Sequence, residues 1–283
     1  MTATFGQRLR AVMEQHGPLC AGIDPHRALL ESWGLAHDLD GLRAFTGACV
    51  DAFGGHVGVV KPQSAFFEVF GSAGVAVLEG AITALRERGT VVILDAKRGD
   101  IGTTMDAYAE AFLGKDAVDP ADALTVSPYL GYGSLRPAID LADQTGRGVF
   151  VLALTSNPEG AQVQHAVREG RSVAGSIVDG ARADNADALA RGELGHVGLV
   201  VGATVGSAVQ DLDLDLAAMG GPILAPGVGA QGGTSEDLKR VFGDALRNVL
   251  PASSREVLSA GPDVPTLRAQ AARTNEALAA LLR

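Results

Sequence analysis

Eight short apolar runs recur along this chain, separated by segments of helical periodicity. The runs are Leu19–Asp24, Val57–Lys61, Val91–Asp95, Ala123–Ser127, Val149–Thr155, Val197–Ala203, Pro222–Pro226 and a weaker one near Asn248–Leu250. Between them, Leu39–Phe53, Ala73–Arg88, Thr103–Leu113, Leu135–Gln144 and Val163–Ala190 carry helical spacing and good helix formers. Strands that are apolar on both faces belong in a parallel sheet covered by helices. Eight such repeats predict an α/β fold, a (β/α)8 barrel of the TIM type, as one domain over residues 1–283. An open doubly wound sheet is the alternative, but no Gly-x-Gly-x-x-Gly turn follows the first run. The stretch 159–196 is long for one crossover and predicts an extra helix or a mobile loop.

The ends of these runs share a character. The first ends at Asp24-Pro25, the second at Lys61-Pro62, and the third at Asp95 and Lys97. The fourth ends at Ser127-Pro128 and the fifth at Thr155-Ser156-Asn157-Pro158, while the seventh enters Pro226-Gly227-Val228-Gly229-Ala230-Gln231-Gly232-Gly233. In a barrel the C-terminal strand ends converge on one mouth, where the chemistry is done.

Asp95 and Lys97 are two apart, so on a strand their side chains share a face. Gly99 permits a sharp turn after them, and Asp100 stands where a helix capped by its carboxylate would begin at Ile101. Two acids and a lysine there are costly to desolvate unless they pair or react. Of 23 basic residues only four are lysines: Lys61, Lys97, Lys115 and Lys239. Lys61 and Lys97 end apolar runs, which marks them out; Lys115 and Lys239 sit in polar contexts and read as surface residues.

The formal net charge of −10 argues against a nucleic-acid partner. It leaves room for a small anionic substrate, because local charge sets a pocket. Cys20 and Cys49 match neither a metal site nor a disulfide framework, and read as reduced core residues of a cytoplasmic protein. The N-terminal stretch Met1 to Gly17 has no signal-peptide pattern, and no run approaches the ~20 apolar residues of a membrane span. The six histidines show no ligand spacing, so no metal is expected.

Asp95-Ala96-Lys97-Arg98-Gly99-Asp100-Ile101 resembles the Asp-x-Lys-x-x-Asp-Ile signature of the orotidine 5′-phosphate decarboxylases. Gly22-Ile23-Asp24-Pro25, Val60-Lys61-Pro62-Gln63, Thr155-Ser156-Asn157-Pro158 and the glycine-rich run after Pro226 match in the family's order. The long form with Thr-Ser-Asn-Pro is similar to the bacterial type 2 branch. The resemblance implies a cofactor-free loss of CO2 from C6 of orotidine 5′-phosphate, giving UMP in the last step of de novo pyrimidine synthesis. It implies Lys97 as the proton donor, in a charge network with Asp95, Lys61 and Asp100. It further implies Asp24 on the ribose, Ser156 on the pyrimidine, and Pro226, Gln231 and Arg255 at the phosphate end. Asp100, Ile101 and Thr104 would cross into a partner's site, making the enzyme a homodimer.

The chemistry is coherent with that expectation. Loss of CO2 leaves an electron pair at C6, and a fixed cation beside it stabilises the transition state. Lysine can then release its proton, whereas arginine holds its own too tightly. The rivals are a Mg2+-dependent phosphosugar decarboxylase of the same superfamily, a Schiff-base aldolase, and a silent nucleotide-binding barrel. The first would end its second strand in an acid, where this chain has Lys61; the second needs a lysine away from flanking acids.

Overall fold

The computed structural model describes residues 3–228 and 235–281. Its eight barrel strands are β1 (Cys20–Ile23), β2 (Val59–Pro62), β3 (Val91–Arg98), β4 (Ala123–Val126), β5 (Gly148–Leu154), β6 (Val197–Val201), β7 (Ile223–Pro226) and β8 (Val249–Ser253). All pair in parallel in the order β1-β8-β7-β6-β5-β4-β3-β2, and β2 closes on β1. The expected barrel is therefore the observed fold.

The period of two along each strand sorts side chains into two layers. Cys20, Val59, Ile93, Ala123, Phe150, Val200, Leu224 and Leu250 fill the barrel interior. Their neighbours Ala21, Val60, Val92, Leu124, Val151 and Leu199 face outward and pack under the helices. Phe150 needs room that β6 supplies: a Cβ on Gly198 would lie 2.6 Å from its ring.

The N-terminal segment forms a helix that the periodicity had not marked, α1 (Phe5–His16). Thr4 Oγ1 accepts from Gln7 N–H, and Gln7 Oε1 accepts from Thr4 N–H, a reciprocal cap. Phe5 and Leu9, four apart on one face, are buried against the barrel interior. Phe5 meets Phe150 edge to face at 6.3 Å. The helix thus closes the end of the barrel where the strands begin and leaves the other end for a site.

Several boundaries differ from the sequence reading. The helix over 39–53 is as expected, α2 (Leu39–Phe53), with Asp38 accepting from Gly41 N–H. The expected helix Val163–Ala190 is broken. Residues 167–168 pair antiparallel with 171–172 in a small ribbon, whose turn holds Glu169 and Gly170 at positive φ. The helix α3 (Val173–Asp184) restarts at Ser172, whose hydroxyl accepts from Gly175 N–H. A second unmarked helix, α4 (Val264–Leu281), ends the described chain. Strand β3 runs past Asp95 to Arg98, and β8 extends past Leu250 to Ser253. Among the described residues no helix is long and apolar enough to cross a membrane.

Candidate active site

The interior layer changes chemistry at its last turn. Continuing the two-residue period, Val59 is followed by Lys61, Ile93 by Asp95 and Lys97, and Ala123 by Thr125. The polar residues therefore occupy the top of the same column that fills the barrel below. Gly22 holds the equivalent place on β1, where a Cβ would lie 1.8 Å from Ser254 Oγ, so glycine alone fits between β1 and β8.

Asp95 is the hub. Its Oδ2 accepts from Lys61 Nζ at 2.9 Å and its Oδ1 from Lys97 Nζ at 2.6 Å. Thr125 Oγ1 also donates to Oδ1 at 2.9 Å. Burial disfavours the Asp95 charge, but the two lysines outweigh it and hold the carboxyl at about 2. Burial likewise works against the Lys61 charge, yet Asp95 and Asp24 raise its pKa above the ordinary lysine value. Asp95 and Lys61 are thus both held in their charged forms at neutral pH by mutual attraction.

The two lysines differ in reach. The Lys61 side chain is 8% exposed and the Lys97 side chain 44%. Lys97 is thus the ammonium that opens onto the mouth, and Lys61 the one that braces Asp95 from below. Lys97 also has φ +48°, a left-handed conformation unusual for a side chain with a Cβ.

A cavity of about 380 Å3 lies over this network. Lys61, Asp95, Lys97 and Asp24 line it together with Ser156, Pro226 and Arg255. Its volume suits a small-molecule site. Among the described residues nothing donates to the buried Asp24 Oδ1, so an acceptor faces a site that could take a hydroxyl. The Ser156 loop is braced from behind: Thr155 Oγ1 accepts from Gln164 Nε2 and donates to Asn157 Oδ1. Arg255 is exposed and begins the short helix Arg255–Leu258 that follows β8.

Of the residues singled out in the sequence, Asp24, Lys61, Asp95, Lys97, Ser156, Pro226 and Arg255 meet around this one cavity. Gln231 lies outside the described residues. Asp100, Ile101 and Thr104 do not line the cavity of their own chain. Asp100 is also not the helix cap expected of it. The helix Gly102–Leu113, which follows β3, has Ile101 at its N-cap without a side-chain bond. Asp100 Oδ1 instead accepts from the next residue, Ile101 N–H, at 2.8 Å. It is one position too early to reach the first free N–H groups of the helix.

Two residues escaped the sequence reading. Gln63 lines the cavity, and Thr125 is 1% exposed within the network. The signal for Thr125 was its parity: Ala123 inward, Leu124 outward, and a lone hydroxyl at the next inward position. Cys20 lies near the same charges, but burial pushes its thiol up to about 12, so it stays protonated.

A model of the family described as orotidine 5′-phosphate decarboxylase / HUMPS matches residues 17–270. The chain is 59% identical over 272 residues to an orotidine 5′-phosphate decarboxylase of Streptomyces coelicolor, covering 95% of each. It is 50% identical over 272 residues to one of Corynebacterium glutamicum strain R, covering 96% of each. It also resembles a crystal structure from Streptomyces avermitilis provisionally named for the same activity. There the TM-score is 0.94 and the identity 56%, with 99% of this chain and 96% of that one covered. Against the Leishmania donovani OMP decarboxylase the TM-score is 0.74 at 30% identity, with 99% of both chains covered.

Proposed function

The chain belongs to the orotidine 5′-phosphate decarboxylase / HUMPS family, and we propose that Lys97 is the acid that protonates C6 of its substrate. The reaction itself is the decarboxylation of orotidine 5′-phosphate to UMP, in UMP biosynthesis. The observation that carries the residue roles is the placement of Asp95 between a buried lysine and an exposed one.

The substrate lies in the cavity with its C6 carboxylate toward Lys97. The C6–carboxyl bond breaks, CO2 leaves, and the electron pair stays on C6. The Lys97 ammonium stabilises that charge as it develops and then transfers a proton to C6, giving UMP. Solvent returns the proton to the lysine. Asp95 holds Lys97 in place, and Lys61 keeps Asp95 ionised so that it can do so. Asp24 accepts a hydrogen bond from a ribose hydroxyl, and Ser156 faces the base. Arg255, the backbone after Pro226 and Gln231 hold the phosphate, whose binding energy drives closure over the ring. The scheme uses no cofactor. A Mg2+-centred phosphosugar reaction fits less well, because the Lys61 ammonium stands 2.9 Å from the carboxylate that would serve the metal.

We assign a second copy of this chain as the partner. Val69, Ile101, Tyr129 and Leu130 are 67%, 61%, 77% and 52% exposed. They follow β2, β3 and β4, three neighbouring strands, on the mouth side. Apolar surface of this kind marks an interaction face. Covering it brings Asp100, Ile101 and Thr104 of each copy to the edge of the other's cavity. The buried, unpaired Cys20 and Cys49 suit a reducing cytoplasm.

Proton exchange tests the role of Lys97. With UMP in D2O, the wild type exchanges the C6 hydrogen for deuterium by reversing the last step, and Lys97→Ala does not. Exchange by a Lys97→Ala protein that binds UMP would remove the lysine from the proton transfer.

A further inference from the structure

We propose that Thr125 is a positioning residue for the decarboxylation, setting the Lys97 ammonium through the lysine's own backbone. The inference rests on the reading that Lys97 protonates C6.

The sheet has a fault between β3 and β4. Strands β3 and β4 stay in register at Ile93↔Ala123 and Leu94↔Leu124, and pairing resumes only at Arg98↔Val126. Between those points β3 spends three residues and β4 only one, Thr125. Residues of the longer strand then lose their regular ladder partners. Asp95, Ala96 and Lys97 form this bulge, so the sheet irregularity and the charged motif are the same three residues.

An unpaired N–H at a buried strand is costly, and a side chain takes the missing place. Lys97 N–H donates to Thr125 Oγ1 at 2.9 Å. The same hydroxyl donates its proton to Asp95 Oδ1 at 2.9 Å. One oxygen thus ties the backbone of the lysine to the carboxylate that holds the lysine's ammonium at 2.6 Å. The closed loop runs from Lys97 N to Thr125 Oγ1, to Asp95 Oδ1, to Lys97 Nζ, and back along the side chain. It also holds Lys97 in its left-handed conformation at φ +48°, which a residue with a Cβ keeps only where the surrounding bonds offset the strain. Thr125 is 1% exposed and does not line the cavity, so it acts only through Asp95 and Lys97.

The hydroxyl has both a donor and an acceptor engaged, which defines the substitutions. Thr125→Val keeps the shape and removes both bonds. Thr125→Ser keeps both bonds and loses only a methyl. A hydrogen bond to a charged group is worth about 1.5–3 kcal/mol, which is roughly 10- to 150-fold in rate if it acts on the transition state.

The test compares both variants with the wild type and with Lys97→Ala, by steady-state decarboxylation, UMP affinity and thermal melting. Thr125→Val is expected to lose roughly 10- to 150-fold in kcat, with KM and UMP affinity changed less than about threefold. Thr125→Ser is expected to retain kcat within about threefold while melting at a similarly reduced temperature. Loss of kcat in Thr125→Ser equal to that in Thr125→Val would overturn the proposal in favour of packing alone. Full kcat in Thr125→Val would also overturn it. If Lys97→Ala keeps its activity, the assignment of Lys97 itself fails, which is a separate result.

Discussion

Lys97 Nζ lies 2.6 Å from Asp95 Oδ1, and the lysine stands on a backbone at φ +48°. The two residues are neighbours but one in sequence, and a bulge in β3 aims both at the mouth. This geometry suits an ammonium at the end of a flexible chain and not a planar guanidinium. Lys97→Arg is expected to keep the charge but lose proton donation and fit. Its kcat should fall by at least about 1,000-fold, within the range by which general acids and fixed charges act together. Turnover within tenfold of the wild type would contradict the role.

The Asp95 carboxyl is held at about 2, below its ordinary value of 3.8. A depressed carboxyl stabilises the fold above its unfolded pKa, and that stabilisation fades as pH falls through the folded one. It is therefore complete above about pH 4 and lost toward pH 2, and it amounts to roughly 2–3 kcal/mol. In Asp95→Asn the buried Lys61 keeps its charge with less to balance it, which destabilises the protein at neutral pH. Urea unfolding should show the gap between wild type and Asp95→Asn narrowing from pH 6 to pH 2.5. A gap independent of pH would show that Asp95 does not titrate as stated.

Asp100 and Lys97 serve different cavities if two copies share their sites. Asp100→Ala and Lys97→Ala proteins are each expected to be nearly inactive. Mixed after verified subunit exchange, half of the dimers are hybrids with one intact site of two, so activity should return to about one quarter of wild type. No recovery would place both residues in one chain's site. Ile101→Glu, a charge on the exposed apolar face, is expected to shift the protein toward monomer in analytical ultracentrifugation.

Arg255 is proposed to hold the phosphate. Arg255→Ala should lower kcat/KM for orotidine 5′-phosphate roughly 10- to 150-fold, the worth of a charge-assisted contact. With orotidine, which lacks the phosphate, wild type and variant should turn over equally slowly. An equal loss on both substrates would move Arg255 away from the phosphate.

The barrel was legible in the sequence because eight apolar runs and their polar ends are local patterns. Lys61, Asp95 and Lys97 stood out because lysine is scarce here and charge at the end of an apolar run is costly. Helix α1 is faint in the sequence because it buries only Phe5, Gly6 and Leu9, although Thr4 and Gln7 spell a cap. The cap expected of Asp100 failed by one residue, since helix starts are fixed by backbone geometry that composition does not show. For Thr125 the inward parity was legible but the role was not. Its role depends on a register shift between β3 and β4, which exists only once the two strands are paired.

The most direct test follows the ultraviolet absorbance of orotidine 5′-phosphate incubated with purified protein in excess EDTA, with Lys97→Ala alongside. The account predicts conversion to UMP by the wild type and none by the variant. Conversion by Lys97→Ala at a comparable rate, or wild-type activity abolished by EDTA and restored by Mg2+, would contradict a metal-free reaction centred on Lys97.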